Sequence, residues 1–217
     1  MARSLIERAV KAAGVSVLDG MSPEDQYRLL YDWASWARPE QLPPPGNWLT
    51  WFVQAGRGFG KSRIGSEWIR HRVGKEGARR LALVGRTPAD VRDTMIEGES
   101  GILACAPPDP RPHYEPSKRR LTWANGATAL TFTSYEPDQL RGPQFDTILW
   151  DELAAFKYLR ETWDNGQLAL RLGSHPRQVV TTTPRPLALL KEIVKDPSTH
   201  VTRGTTYDNL VNLAPNF

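Results

Sequence analysis

At 217 residues, 40% hydrophobic and 24% charged, the chain is long enough for one α/β domain with a sizeable core. A net charge of +4 and a pI near 9.3 permit a polyanionic partner without requiring one, because most surface lysines and arginines are simply solvated. The single cysteine, Cys105, excludes an internal disulfide framework and fits a reducing compartment. The four histidines lack metal-ligand spacing, no stretch is apolar long enough to span a bilayer, and residues 1–14 lack a signal-peptide core.

In chain order, residues 4–13 read as a short amphipathic helix with Leu5, Ile6, Ala9, Val10 and Ala13 on one face. A second helix starts after Ser22, a hydroxyl cap followed by Pro23 and, three residues on, Asp25. Its expected buried stripe is Tyr27, Leu30, Tyr31 and Ala34, widened by Trp33 and Trp36, and it is expected to end at Arg38-Pro39. The proline-rich residues 40–46 predict a stiff, extended connector. Within it, Gln41 offers an amide donor and acceptor that an adenine edge could use. From the residues alone, a solvent-facing glutamine is the better reading.

The apolar run 48–53 predicts a strand, and Gln54-Ala55-Gly56-Arg57-Gly58-Phe59-Gly60-Lys61-Ser62 follows it into a helical segment. Strand, glycine-rich loop and helix form the setting of a phosphate-binding loop. Glycines let successive backbone N–H groups turn inward, and the helix N-terminus adds a favourable dipole. Lys61 would reach the β- and γ-phosphates of ATP, and the Ser62 hydroxyl would ligand Mg²⁺. The usual pattern has glycine where this chain has Ala55, so the loop entrance is expected to keep an ordinary φ. The competing reading is a glycine-rich turn with a chance lysine.

The helix after the loop is expected to run to about Val73, and 81–85 is a short apolar strand of the buried parallel type. Thr87-Pro88-Ala89-Asp90 caps another helix ending at Gly98. Residues 106–116, with five prolines, read as a loop. Strands around Leu121-Thr122-Trp123 and Leu130-Thr131-Phe132 flank Asn125-Gly126, a hairpin signal that predicts an antiparallel edge. Alternating strands and helices elsewhere predict a doubly wound α/β sheet.

Asp146-Thr147-Ile148-Leu149-Trp150-Asp151-Glu152 reads as a buried strand ending in two carboxylates. Ligands of open α/β sheets bind at such carboxyl ends. Asp151 is placed to hold Mg²⁺, and Glu152 to polarise the attacking water as general base. A strand ending in solvated acids is the alternative. Gln178-Val179-Val180-Thr181-Thr182-Thr183-Pro184 is another buried strand, and its terminal hydroxyls could sense the γ-phosphate. For Thr181, β-propensity alone is explanation enough.

The phosphate loop, Leu140-Arg141-Gly142, Trp150-Asp151-Glu152 and Thr182-Thr183-Pro184, in this order, resemble the ATPase domain of large terminase subunits over roughly residues 30–215. Those motors package DNA into tailed-phage heads or phage-like gene transfer particles. The resemblance implies a P-loop NTPase of the additional-strand, catalytic-glutamate type, with a mostly parallel sheet flanked by helices and one antiparallel hairpin. It implies ATP and Mg²⁺, with Gln41 on adenine, Lys61 and residues 55–62 on phosphate, and Ser62 and Asp151 on the metal. It also implies Glu152 as catalytic base and Thr182 and Thr183 as the coupling motif. Arg57 would act on phosphate in cis, and Arg141 as a finger on a neighbour's ATP. Implied partners are double-stranded DNA, a portal protein, a small terminase subunit and copies of the chain in a ring, docked on a procapsid in the host cytoplasm. The basic run Lys118, Arg119 and Arg120 near the hairpin is the candidate DNA-backbone contact, with a simply solvated face as the alternative for each. The expected division is N-terminal helices and adenine lead-in at 1–45, ATPase core at 46–208 and the start of a linker at 209–217. Gly204 to Asn209 reads as a last strand running into that linker. Without an acidic two-metal cluster, no nuclease activity is expected. A helicase-like ATPase and a non-hydrolysing P-loop binding module are the alternatives.

Overall fold

A computed structural model describes residues 20–213, so the helix expected at 4–13 lies outside the described residues. The chain divides into two compact units, Met1–Pro43 and Pro44–Phe217.

In the first unit, helix α1 (Pro23–Leu30) starts as its sequence requires, with the Ser22 hydroxyl accepting the Asp25 N–H at 3.1 Å. It stops well short of Arg38, the expected end. Asp32 leaves helical geometry and its carboxylate takes the Ser35 hydroxyl at 2.5 Å, a local bond that competes with the helix ladder. A one-turn helix α2 (Trp33–Trp36) and a 3-10 turn (Pro39–Gln41) come next, so the connector does not begin extended. The expected buried stripe is not buried: Tyr27, Leu30 and Ala34 are exposed and Tyr31 is half-buried.

The second unit is built on one eight-stranded sheet, in the order β3-β4-β5-β2-β6-β7-β1-β8. Its strands are β1 (Thr50–Ala55), β2 (Arg80–Gly85), β3 (His113–Glu115), β4 (Arg120–Thr122), β5 (Thr128–Thr133), β6 (Thr147–Trp150), β7 (Arg177–Thr182) and β8 (Thr199–Gly204). Six of these pair in parallel, and β3/β4 and β4/β5 pair antiparallel, as the hairpin signal predicts. Gly126 carries the turn at φ 84°, a conformation Asn-Gly turns require. One departure lies in 106–116, where β3 adds a third antiparallel strand to an expected loop. Its register sets Glu115 opposite Arg120, and their ion pair at 2.7 Å offsets the weak strand propensity of a proline-rich stretch.

Both faces of the central strands are buried, which is why β1, β2, β6 and β7 read as apolar runs. Trp51, Val53, Leu83, Leu149 and Val179 pack against helix α3 (Lys61–Gly74) on one face. Phe52, Val84, Ile148, Trp150 and Val180 pack on the other, against α6 (Leu159–Ala169) and α7 (Ala188–Lys195). The remaining helices are α4 (Pro88–Asp90), which continues as a π-helical turn (Val91–Ile96), and α5 (Ile102–Cys105). The Thr87 cap works as predicted, taking the Asp90 N–H at 3.1 Å while Asp90 accepts the Thr87 N–H. No described helix is long and apolar enough to cross a membrane.

Topology positions the site. Strand β7 lies between β1, which feeds the glycine-rich loop, and β6, which ends in the paired carboxylates. This interposed strand is the additional strand expected of the catalytic-glutamate class. Parallel pairing brings the carboxyl ends of all three to one edge, with Trp150 opposite Val180 and Gln54 opposite Thr182.

Candidate active site

The loop between β1 and α3 takes its shape from two left-handed glycines, Gly58 at φ 74° and Gly60 at φ 96°, the second capping α3. A side chain at either would be strained. Ala55 closes β1, paired with Gly204, and lies outside the left-handed region. Its Cβ therefore costs nothing where the usual pattern has glycine. Lys61, the first residue of α3, folds back over the loop and donates to the carbonyls of Ala55 and Gly56, both at 3.0 Å. Ser62 is next to it in the first turn. Arg57 is exposed, and its charge disfavours that of Lys61.

The carboxylates stand across from this loop. The Lys61 ammonium lies 3.9 Å from Glu152 Oε2. Glu152 has φ 54°, one of two non-glycine residues in that region among those described. Such a conformation costs on the order of 1–3 kcal/mol and persists where surrounding contacts enforce it. Here they do: the Glu152 N–H donates to Thr181 Oγ1 at 3.2 Å, and its Oε1 accepts the N–H of Thr183 at 2.8 Å and a short bond from the Thr183 hydroxyl. Thr181 in turn donates to Asp151 Oδ1 at 2.7 Å. Thr182 accepts the Ala154 N–H at 3.1 Å, tying the carboxylate turn to the end of β7.

Electrostatically the two sides are unsatisfied in opposite senses. Burial holds the Lys61 amine below its ordinary pKa, although Glu152 and Asp151 pull it back up. Burial pushes the Asp151 carboxyl above the usual carboxylate range, against the Thr181 hydrogen bond and the Lys61 charge, with Glu152 adding repulsion. A buried anion with one hydroxyl donor and a desolvated lysine beside it is suited to an incoming cation. Glycine-built N–H groups beside that lysine suit a polyanion. The residues present therefore fit ATP with Mg²⁺.

Of the expected site residues, the structure brings together residues 55–62, Asp151, Glu152, Thr182 and Thr183. Arg141 stands apart, at the end of a 3-10 turn (Pro137–Leu140), two-thirds exposed, pairing with Asp138 at 3.1 Å and Asn165 at 3.2 Å. Gln41 is buried rather than solvent-facing, and its Oε1 accepts the Arg38 N–H at 3.0 Å. The basic run is already engaged: Lys118 and Arg120 both bond Glu115, and Arg119 bonds Gln139 and Glu136. Those two cations hold the Glu115 carboxyl down at about 2.

Two features escape sequence reading. Thr181, which strand propensity alone seemed enough to explain, joins the Asp151 carboxylate to the Glu152 backbone N–H, and pairing the β6 and β7 tips would have found it. The last strand is β8, ending at Gly204, and the segment after it is 3-10 helical (Thr206–Asn212), kinked at Asn209, rather than strand. It bonds back to the loop, with Thr206 Oγ1 donating to Arg57 O at 2.7 Å and Asn209 Nδ2 to Gly58 O at 2.6 Å.

Residues 53–217 match a family profile described as terminase large subunit, T4likevirus-type, N-terminal. No curated protein matches the chain. Among solved structures, the fold is similar to the Thermus phage P74-26 large terminase ATPase domain, with TM-score 0.64, 15% identity and 88% and 89% of the two chains covered. It is similar to the large terminase from a thermophilic bacteriophage in complex with ADP, with TM-score 0.62, 13% identity, 88% of this chain and 47% of that one. It is also similar to the N-terminal domain of the DNA packaging ATPase from bacteriophage phi29, with TM-score 0.54, 14% identity and 72% and 90% covered. The chain thus spans about half the length of the ADP-bound terminase.

Proposed function

Because the chain belongs to the T4likevirus-type large terminase subunits, matching their N-terminal part, we propose that it hydrolyses ATP to drive double-stranded DNA into a procapsid. One observation carries this reading: Lys61, Asp151 and Glu152 converge at neighbouring strand ends, with the lysine 3.9 Å from the glutamate. The loop N–H groups and Lys61 bind the β- and γ-phosphates. Ser62 and Asp151 would hold Mg²⁺, which when bound would neutralise phosphate charge. Glu152, fixed by Thr183, orients the attacking water and takes its proton as the bond to ADP breaks. Thr181, Thr182 and Thr183 link the carboxylate turn to β7, a route by which hydrolysis reaches the rest of the motor. Gln41 reads adenine and Arg57 acts on phosphate within the subunit.

The implied partners are DNA, a portal protein, a small terminase subunit and further copies of the chain in a ring, in the cytoplasm of an infected host. Lys118, Arg119 and Arg120 are the candidate DNA-backbone contacts. Glu115, paired with Lys118 and Arg120, and Glu136, paired with Arg119, weaken them in that role by neutralising part of their charge.

Phosphate release with and without double-stranded DNA tests the reading. Lys61→Ala is expected to abolish nucleotide binding. Glu152→Gln is expected to bind ATP normally and lose about 10²–10⁴-fold in turnover. Binding without turnover in the wild-type chain would replace the motor with a non-hydrolysing DNA-binding module. Near-wild-type turnover in Glu152→Gln would remove the general-base assignment.

A further inference from the structure

The geometry points to Thr206 and Asn209 as positioning residues that aim the phosphate loop's N–H groups, so that the segment after β8 and bound nucleotide stabilise each other. This rests on the ATP-binding reading above. A trans peptide unit is planar, with its C=O and N–H on opposite sides. Thr206 holds the Arg57 carbonyl outward at 2.7 Å, which turns the Gly58 N–H the other way. Asn209 holds the Gly58 carbonyl at 2.6 Å and so turns the Phe59 N–H. These are consecutive donors of the concave nest a phosphate needs. Left-handed Gly58 has a wide conformational range of its own, so outside contacts must select the binding geometry.

Sequence explains why the two side chains act together. Thr205 and Asp208 form a reciprocal cap, the Asp208 carboxylate taking the Thr205 N–H at 2.7 Å and hydroxyl at 3.0 Å. The 3-10 turn this starts carries the chain from Thr206 to a kink at Asn209 (φ −124°, ψ 17°), and the two side chains reach the consecutive carbonyls of Arg57 and Gly58. The fit leaves no slack. A Cβ on Gly56 would come within 2.7 Å of Thr206 Oγ1, and one on Gly204 within 2.2 Å of the buried Phe59 ring. The Gly56 N–H is also tied to Gly204 O at 3.2 Å. Loop and segment interlock, so the loop cannot rearrange around phosphate without the segment, and by linkage nucleotide must order the segment in return.

The test is ADP affinity by calorimetry for Thr206→Val, Asn209→Leu, Thr206→Ser and wild type, with hydrogen exchange of residues 205–212 with and without ADP. Loss of either donor is expected to weaken ADP binding about 3–10-fold, the scale of one hydrogen bond. Thr206→Ser, which keeps the hydroxyl, is expected to bind as wild type does. ADP is expected to slow exchange across 205–212 in wild type and to lose that effect in Asn209→Leu. Melting without nucleotide, run in parallel, reports any general loss of fold. Wild-type affinity in both Thr206→Val and Asn209→Leu overturns the inference while leaving the ATPase reading intact, and so does exchange at 205–212 that ignores ADP. Failure of wild type to bind ADP at all removes both.

Discussion

The two edges of the sheet in the Pro44–Phe217 unit treat buried charge in opposite ways. At the amino edge, Arg72 is almost fully buried, and each of its nitrogens is answered. It donates to Thr147 Oγ1 at 3.1 Å, Glu76 at 2.6 Å, the Asp146 carbonyl at 3.1 Å and the His175 carbonyl at 3.2 Å, and its guanidinium lies 5.9 Å from the Trp68 ring. Burial alone would raise the Glu76 pKa, but the Arg72 hydrogen bond and the charges of Arg72, His71 and Arg177 hold it below its ordinary value. At the carboxyl edge, Asp151 has only a threonine hydroxyl and a lysine, and burial wins, holding it above its ordinary value. The contrast separates a finished network from an unfinished one. Charge that the protein satisfies itself holds strands and helices together, whereas charge left short awaits a ligand.

The largest expected effect lies outside both edges. Arg141 is exposed, pairing with the exposed Asp138 and with Asn165, a buried residue of α6, and the open part of its side chain can face a neighbouring copy. A finger acting in trans is worth about 10³–10⁵ in turnover. Arg141→Ala keeps its own phosphate loop and Lys61→Ala keeps its own Arg141. Each alone is expected to be nearly inactive, and a mixture at assembling concentration is expected to recover ATPase activity. A dead mixture beside active wild type would confine Arg141 to its pair with Asp138, and only the carboxyl edge would then supply catalytic charge.

Next in size is Arg72. Replacing it by Met leaves two carbonyls and the Thr147 hydroxyl without their donor and Glu76 with only His71 and Arg177, and breaking a buried pair costs about 3–5 kcal/mol. The comparison predicts that this loss appears wholly in stability, read by denaturant unfolding, with turnover per folded molecule unchanged. Lost turnover at unchanged stability would mean that the amino edge is not merely structural.

The division between the edges was only half legible in the chain. Runs of apolar residues and a glycine-rich loop exposed the parallel strands, the Lys61 loop and the paired carboxylates, because a buried strand and a left-handed turn each demand particular residue types. Arg72 and Thr181 were invisible, since their partners come from other strands and only pairing register brings them together. Strand β8, Thr-His-Val-Thr-Arg-Gly, escaped for a different reason. It is an edge strand, half-exposed, and carries no apolar run. The split of the first helix at Asp32 and the three-residue β3 turn on single local bonds, which patterns averaged over a window do not register.

The smallest change in stability is the most direct probe of the unfinished edge. Asp151→Asn removes a buried negative charge while keeping a similar shape, so it is expected to abolish Mg²⁺-dependent turnover and yet raise the melting temperature of the nucleotide-free protein near neutral pH. The sign comes from linkage. The folded pKa of Asp151 lies above its unfolded one, so its contribution to stability is fully present below the ordinary carboxylate value and is lost as pH rises through the folded value. Wild type should therefore lose ground to Asp151→Asn as pH increases across that window, and the two should converge below it, where the carboxyl is protonated in both states. Mg²⁺ with ADP should reverse the order at neutral pH, because only wild type offers the metal its carboxylate. A melting curve in which Asp151→Asn is less stable at neutral pH would mean that Thr181 and Lys61 already satisfy the aspartate. The carboxyl edge would then be as finished as the amino edge.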